Sequence, residues 1–276
     1  MDLDLAVDTG TQNALLAQVH RHTGIFMADR KWTLLQGRLR RRLQELALKS
    51  YREYLALLED SKDEVGYFID LVTTNETSFF RTQRIWDYLW QDFLPTWQAA
   101  HPAATLQVWS AAASTGEEAY TAAMLFEEFR LQQPGFRYRI LGTDIARRVL
   151  EAGRAGKYHG RNIDGLRKIR PALLDKYFRQ EGDHFSVIPA LRAGVTFREH
   201  HLYKRLADPV RFDLVLLRNV LIYFDEPGQE NVLEKVRQSM VPGGVLLVGE
   251  SESLGRIRSG FVYRQPLIYC NDKTPA

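Results

Sequence analysis

The sequence predicts an α/β protein in which a parallel sheet is covered by helices on both faces and is preceded by a separate helical segment. Three observations carry that expectation. Up to Val72 the apolar residues recur at three- and four-residue steps, which is the helical period. Beyond His101-Pro102, short apolar runs of strand length alternate with longer helical stretches, and such alternation builds a parallel sheet. The 276 residues also amount to about two domains, at roughly 100–200 residues each.

In the helical part, Leu15, Leu16 and Val19 form a short apolar stripe that Gly24 closes. Trp32, Leu35, Leu39, Leu43 and Leu46 continue the period. Ser50 stands three residues before Glu53, and Ser61 three before Glu64; both are capping-box patterns that start a helix. The helix after Ser61 is expected to bury Val65, Phe68, Ile69 and Val72.

The α/β part opens with a strand at Leu106–Trp109, a turn at Ser114-Thr115-Gly116 and a helix from Glu117 to Arg130. A second strand runs from Tyr138 to Gly142 and ends at Asp144, and Val149–Tyr158 reads as a helix. Further strands are expected at Val195–Phe197, Phe212–Leu217 and Val245–Val248, the last after a Pro242-Gly243-Gly244 turn. Val232, Leu233 and Val236 mark a helix between Phe224 and Pro242. Residues from about 166 to 191 break the rhythm: a helical piece (Leu173, Leu174, Tyr177, Phe178), a Gly182-Asp183 turn and Phe185–Ile188. They read as an insertion forming a small β-subdomain.

Composition excludes several classes. The 37 Lys and Arg against 34 Asp and Glu leave a surplus of +3, with 45% hydrophobic residues, so disorder is not expected. The one cysteine, Cys270, permits no intrachain disulfide and no four-cysteine zinc site, which points to a soluble cytoplasmic chain. Phe212–Phe224, the densest apolar stretch, carries Asp213, Arg218 and Asn219 and falls short of the ~20 apolar residues of a membrane span. Met1-Asp2-Leu3-Asp4 lacks the basic start of a signal peptide. His20 and His22 lie on different helix faces, and His200 and His201 are adjacent, so no metal site is expected.

Ligands of open parallel sheets bind beyond the carboxyl ends of the strands. Three such ends carry polar residues here. In Ala111-Ala112-Ala113-Ser114-Thr115-Gly116-Glu117-Glu118 the small residues admit a ligand to the backbone, and a helix N-terminus follows. Glu117 repels a pyrophosphate but suits an ammonium or sulfonium charge; an ordinary tight turn is the competing reading. Asp144 stands 28 residues beyond Gly116, near where an acid after the second strand holds a ribose diol, although taken alone an ordinary helix N-cap is the favoured reading. Arg218-Asn219 follows the buried run Asp213–Leu217, a costly place for a charge without a ligand or partners. A fourth polar segment, Thr73-Thr74-Asn75-Glu76-Thr77-Ser78-Phe79-Phe80-Arg81, precedes the sheet.

Thr-Asn-Glu-Thr-Ser-Phe-Phe-Arg, Trp-Ser-Ala-Ala-Ala-Ser-Thr-Gly-Glu-Glu, Gly-Thr-Asp-Ile and Arg-Asn-Val-Leu-Ile-Tyr-Phe-Asp occur in that order. In that combination the chain closely resembles the CheR family of chemotaxis receptor methyltransferases, from the helices near Leu15 to the strands near Tyr269. The resemblance implies a Rossmann-like S-adenosylmethionine-dependent methyltransferase sheet at 79–276, after an N-terminal helical docking domain with linker at 1–78. It implies methyl transfer to glutamate side chains of bacterial chemoreceptors. Asn75, Thr77, Arg81, Glu117, Asp144 and the pair Arg218-Asn219 would contact the cofactor, and Arg81 and Tyr223 would border the transferred methyl. Family members commonly read His-Asn-Leu after the third strand, where this chain has His200-His201-Leu202; His201 and Leu202 are carried over as backbone contacts. A CheR-like enzyme of a non-chemotaxis sensory pathway and a non-catalytic S-adenosylmethionine-binding module stay open as alternatives.

Residues 30 to 42 hold Arg30, Lys31, Arg38, Arg40, Arg41 and Arg42 and no acid. Arg38, Arg41 and Arg42 share one helix flank. A solvated face is one reading; nucleic-acid binding is disfavoured by the small surplus and the lack of interleaved aromatics. The resemblance implies a third, in which the flank meets the acidic signalling domain of a receptor. The loop Arg179–Ser186 looks shorter than in relatives that grip a receptor-tail pentapeptide, so no such tether is expected, and the enzyme is expected to act as a monomer.

Overall fold

Helix α1 (Thr9–Thr23) starts where the Asp8 carboxylate accepts the Thr11 N–H at 2.8 Å. It stops at Gly24, whose φ of 74° returns its N–H to the His20 carbonyl. Helices α2 (Trp32–Glu45), α3 (Tyr51–Asp60) and α4 (Lys62–Val72) follow. Ser50 and Ser61 accept the N–H groups of Glu53 and Glu64, both at 3.2 Å, as the capping pattern requires. The return half of each box differs. Glu53 takes the Lys49 N–H at 2.9 Å, and Glu64 turns inward to side chains of α2 and α3. Leu15, Val19, Leu35, Leu39, Leu43, Tyr54, Phe68 and Val72 form the core of this bundle, while Val65 and Ile69 are only partly buried. Each fully buried Leu or Phe contributes about 1.5–3 kcal/mol.

The computed structural model describes residues 7–207 and 209–272, which divide into two compact units. One comprises the described residues up to Thr74 together with Tyr223–Gly228; the other comprises Asn75–Ile222 and the described residues from Gln229 onward. Phe26 holds the returning segment in the helical unit by donating its N–H to the Tyr223 carbonyl at 2.8 Å. Met1–Asp4 and the Arg30 side chain lie outside the described residues.

The second unit opens with α5 (Gln83–Tyr88), a π-helical turn at Leu89–Phe93 and α6 (Leu94–Ala100). Pro95, which has no N–H, makes a relaxed turn at this point reasonable. Then come β1 (Thr105–Ser110), α7 (Glu117–Gln132), β2 (Arg137–Asp144) and α8 (Arg147–Ala155). Helix α8 ends at Gly156, with φ 60°, so Tyr158 leaves the expected helix and joins β3 (Lys157–Tyr158). After α9 (Arg161–Ile169) and α10 (Pro171–Tyr177), β4 (Phe178–Glu181) and β5 (His184–Val187) complete a three-stranded antiparallel sheet ordered β3-β5-β4. Phe178 is thus a strand residue, and the small sheet recruits residues well before 166. Glu181 pairs with His184 across a two-residue turn, for which Gly182 supplies φ 62°.

Helix α11 (Pro189–Arg192), β6 (Val195–Glu199), β7 (Phe212–Leu217), α12 (Glu226–Gln238), β8 (Met240–Val248), β9 (Val262–Gln265) and β10 (Ile268–Cys270) complete the chain. The main sheet has seven strands in the order β6-β2-β1-β7-β8-β10-β9. The first five run parallel, and β10 and β9 are antiparallel additions. Strand β8 passes through Pro242-Gly243-Gly244 rather than starting after it. Asn271 pairs with the Gly243 N–H at 2.7 Å and the Gly244 carbonyl at 2.8 Å, so the bulged residues stay in the sheet. Because β2 lies on one side of β1 and β7 on the other, the strand order reverses at β1, and the crevice at the carboxyl ends opens there. Cys270 is buried on β10, with its thiol 3.3 Å from the Gly243 carbonyl.

Candidate active site

At the carboxyl end of β1 the chain turns through Ser114 (φ 48°) and Gly116 (φ 95°) into α7. No side chain larger than hydrogen fits at Gly116, where a Cβ would lie 2.9 Å from the Phe197 ring. Asp144, at the end of β2, braces this turn: one carboxylate oxygen accepts the Ser114 N–H at 2.9 Å and the other the Ala146 N–H at 3.0 Å. The Ser114 hydroxyl donates to the Asn75 carbonyl at 2.8 Å. Asn75, Ser114 and Asp144 are therefore brought together from three distant stretches of sequence, and Asp144 is a buried acid that braces the turn rather than the cap of α8, whose N-cap is Ala146.

The two adjacent glutamates of α7 point to different surroundings. Glu117 is fully buried, and among the described residues its carboxylate accepts only neutral donors, the Thr115 hydroxyl at 2.6 Å and the Asn162 amide. Burial without a cation pushes its carboxyl above the usual range. Such a group is a ready partner for a ligand that brings a positive charge. Glu118 instead accepts the Ser110 hydroxyl at 2.7 Å and pairs with Arg218 at 2.9 Å.

Arg218 is itself buried, and its second amino group donates to the Arg81 carbonyl at 2.7 Å. Its Nε is buried with no hydrogen-bond partner among the described residues. The Arg81 carbonyl also receives the Trp86 indole N–H at 3.0 Å, so the backbone at Arg81 is fixed while the guanidinium stays exposed, with one bond to the Glu76 carbonyl at 3.1 Å. Phe80 and Thr82 on either side have φ of 54° and 63°, an uncommon conformation for such residues, and the Phe80 N–H is held by the Thr121 hydroxyl at 3.2 Å. Thr77 is half-buried on the same segment. Asn219 takes the left-handed conformation (φ 58°) directly after Arg218.

After β6, His200 and His201 differ sharply. The His200 ring packs against Trp109 at 5.8 Å, its Nε2 is buried without a hydrogen-bond partner among the described residues, and burial, with Arg198 and His201 nearby, pushes its pKa down to about 4. His201 Nδ1 accepts the Tyr203 N–H at 3.2 Å. That bond is the one an asparagine Oδ1 makes to the residue two positions on, so the imidazole reproduces the local turn an asparagine would form. Leu202 is buried.

Tyr223 belongs to the helical unit. So do the three arginines, which the structure separates. Arg38 caps the end of α4, donating to the carbonyls of Leu71, Val72 and Thr73 at 2.9–3.2 Å. Arg42 forms two bonds to the buried Glu64 carboxylate, at 2.9 and 2.6 Å, and Tyr54 adds a third at 2.8 Å. Only Arg41 of the three is fully exposed, with an i,i+4 pair to Glu45 at 3.3 Å.

Two residues outside the expected set belong with the site. Asn162, on α9, reaches Glu117 from the inserted region. Glu252, just past β8, accepts the N–H groups of Asn219, Val220, Leu221 and Gly249. Glu252 was legible by the strand-end rule, because Gly249-Glu250-Ser251-Glu252 is a fourth polar run at the end of a buried strand; Asn162 had no signal in its local sequence. Among the described residues no group of three His, Cys, Asp or Glu is placed to hold a metal ion, and no helix is long and apolar enough to cross a membrane.

Residues 75–265 match the family described as CheR methyltransferase, SAM binding domain, and residues 12–73 match CheR methyltransferase, all-alpha domain. The chain is 32% identical to a chemotaxis protein methyltransferase of Salmonella typhimurium, over 94% of this chain and 88% of that one. The Escherichia coli protein of the same description is 33% identical over 92% and 88%. That of Borreliella burgdorferi is 32% identical over 97% and 96%.

Proposed function

The chain belongs to the CheR methyltransferase family, with S-adenosylmethionine as its cofactor, and from that premise we propose that it esterifies glutamate side chains on the signalling domain of bacterial chemoreceptors. The observation that carries the reading is Glu117, a fully buried carboxylate with neutral donors only among the described residues, just past the carboxyl end of the central strand. It suits a cationic ligand and repels a phosphate. Asp144, which braces the turn after the same strand, offers acceptors suited to a ribose diol. Asn75, Thr77, His201, Leu202, Arg218 and Asn219 complete the proposed cofactor site.

S-adenosylmethionine, when bound, supplies an electrophilic methyl group on a positively charged sulfur. The acceptor glutamate is ionised at pH 7 and needs no general base. What remains for the protein is to hold two reactants in line, an effect worth ~7 kcal/mol or more, and to exclude water from a reaction that neutralises charge. Arg81 is suited to the acceptor: its backbone is anchored at the carbonyl, and its exposed guanidinium retains donors for a carboxylate. Tyr223 borders the methyl in this proposal.

For docking, the geometry favours Arg41 of the three arginines, since Arg38 and Arg42 already serve the bundle. The two-residue turn between β4 and β5 supports action without a pentapeptide tether. A soluble, cytoplasmic, monomeric enzyme completes the proposal. The test is transfer of label from methyl-labelled S-adenosylmethionine to a receptor signalling domain. Glutamyl esters release the label as methanol on mild alkali; label that resists alkali, or none transferred by folded protein, defeats the proposal.

A further inference from the structure

Glu252 is a buried carboxylate that the chemistry above does not use. It has no arginine, lysine or histidine among its hydrogen-bond partners in the described residues; four backbone N–H groups surround it instead. Oε2 accepts Asn219 at 2.8 Å and Gly249 at 2.6 Å, and Oε1 accepts Val220 at 2.8 Å and Leu221 at 2.7 Å. Three of these donors follow β7 and the fourth follows β8, so one side chain joins the loops beyond two neighbouring parallel strands. The site is filled to contact. A Cβ added at Gly249 would lie 2.7 Å from Glu252 Oε2, 2.7 Å from Asn219 Nδ2 and 2.8 Å from the Asn219 nitrogen.

We infer that Glu252 is a positioning residue for the cofactor site, setting the backbone of Asn219–Leu221 so that Asn219 is presented beyond β7. The inference rests on the proposed role of Asn219. Three consecutive N–H groups turned to one side need an acceptor, and left buried without one they destabilise the turn. Asn219 adopts φ 58°, which the chain holds only if its neighbours over-determine it. Both oxygens of Glu252 are saturated with two donors each, so glutamine is no conservative replacement here. Its amide nitrogen carries no acceptor, and in either orientation two N–H groups lose their partner. Aspartate is one methylene too short to reach both loops.

The test compares the full chain with Glu252→Gln in calorimetric binding of S-adenosylhomocysteine and in methyl transfer to a receptor signalling domain. The expected result is about tenfold or greater loss of cofactor affinity, with the KM for the receptor domain within about twofold and the melting curve still cooperative. Equal cofactor affinity overturns the inference, as does an equal rise in both KM values. Should Glu252→Gln not fold, hydrogen exchange on the unaltered protein decides. The amides of Asn219, Val220, Leu221 and Gly249 should exchange far more slowly than those of Ser251 and Ser253, and exchange of all six at loop rates overturns the inference. Failure of the unaltered protein to bind the cofactor at all would instead refute the proposed function, so the two failures are distinct.

Discussion

Arg218 Nη1 lies 2.9 Å from Glu118 Oε2, and both residues are buried, so the arginine that follows β7 is neutralised inside the protein by the second residue of α7. Glu118 shares its other oxygen with Ser110 on β1, and Arg218 holds the carbonyl of Arg81. One ion pair thereby ties β1, α7, the turn after β7 and the segment that carries Arg81. Glu118→Gln leaves the guanidinium buried without its counter-charge, and about 3–5 kcal/mol of stability should be lost. The double replacement Glu118→Gln with Arg218→Met should recover much of that in urea unfolding while leaving the Arg81 carbonyl without its arginine donor, so methyl transfer should not recover with it.

Glu117→Gln should act in the opposite sense on stability. Burial raises the folded carboxyl above its unfolded value, so its favourable contribution is present below the unfolded pKa and is lost as pH rises through the folded one. Ionising Glu117 in the ligand-free protein therefore costs stability. The glutamine variant should be more stable than the unaltered chain at pH 7, with no advantage near pH 4, and should bind S-adenosylmethionine at least tenfold more weakly. Melting curves at the two pH values, with and without cofactor, check both halves.

Arg41 and Arg42 separate docking from folding. Arg42→Glu sets a negative charge against Glu64, which is buried at 5% exposure, and should unfold the helical bundle or cost it about 3 kcal/mol or more. Arg41→Glu changes a side chain at 85% exposure and should move stability by less than about 0.5 kcal/mol. If α2 meets the acidic receptor surface, Arg41→Glu should still lower receptor methylation several-fold at low salt with cofactor affinity intact. Equal methylation by the variant would exclude Arg41 from the docking surface.

His200 makes the protein acid-sensitive. Its folded pKa near 4 lies below the unfolded value of about 6.5, so stability is complete above pH 6.5 and is lost as pH falls toward 4. The loss should be on the order of 2 kcal/mol after allowance for the ring's partial exposure. Urea midpoints at pH 7.5 and pH 4.5 should differ less for His200→Leu than for the unaltered chain; an identical difference would assign the acid sensitivity to other groups.

Sequence reading reached furthest where one period or one strand end carries the information. The stripe from Leu15 to Val72, the two serine caps and the parallel strands all follow from local pattern. It reached least where a glycine or a distant partner intervenes. The helix expected through Tyr158 stops at Gly156, because left-handed backbone ends an α-helix whatever follows. Pro242-Gly243-Gly244 reads as a turn, yet Asn271, nearly thirty residues on, pairs with it and keeps it in the sheet. The basic flank of α2 looked uniform, although Glu64 and the end of α4 claim two of its three arginines.

By itself the sequence determined the class of fold and the family, and it marked polar residues at three of the strand ends while passing over Glu252 at a fourth. Burial periodicity and short motifs are properties of neighbours along the chain, so they survive without coordinates. Tertiary structure alone decided what each charged group does. Glu117 and Glu118 are adjacent in sequence, but α7 turns about 100° per residue, so one meets neutral donors and the other a buried arginine. Glu252 acts on Asn219 across thirty-three positions because β7 and β8 are neighbours in the sheet. The energy of a charge depends on burial and on partners within a few ångströms, and those are set only when distant strands pack.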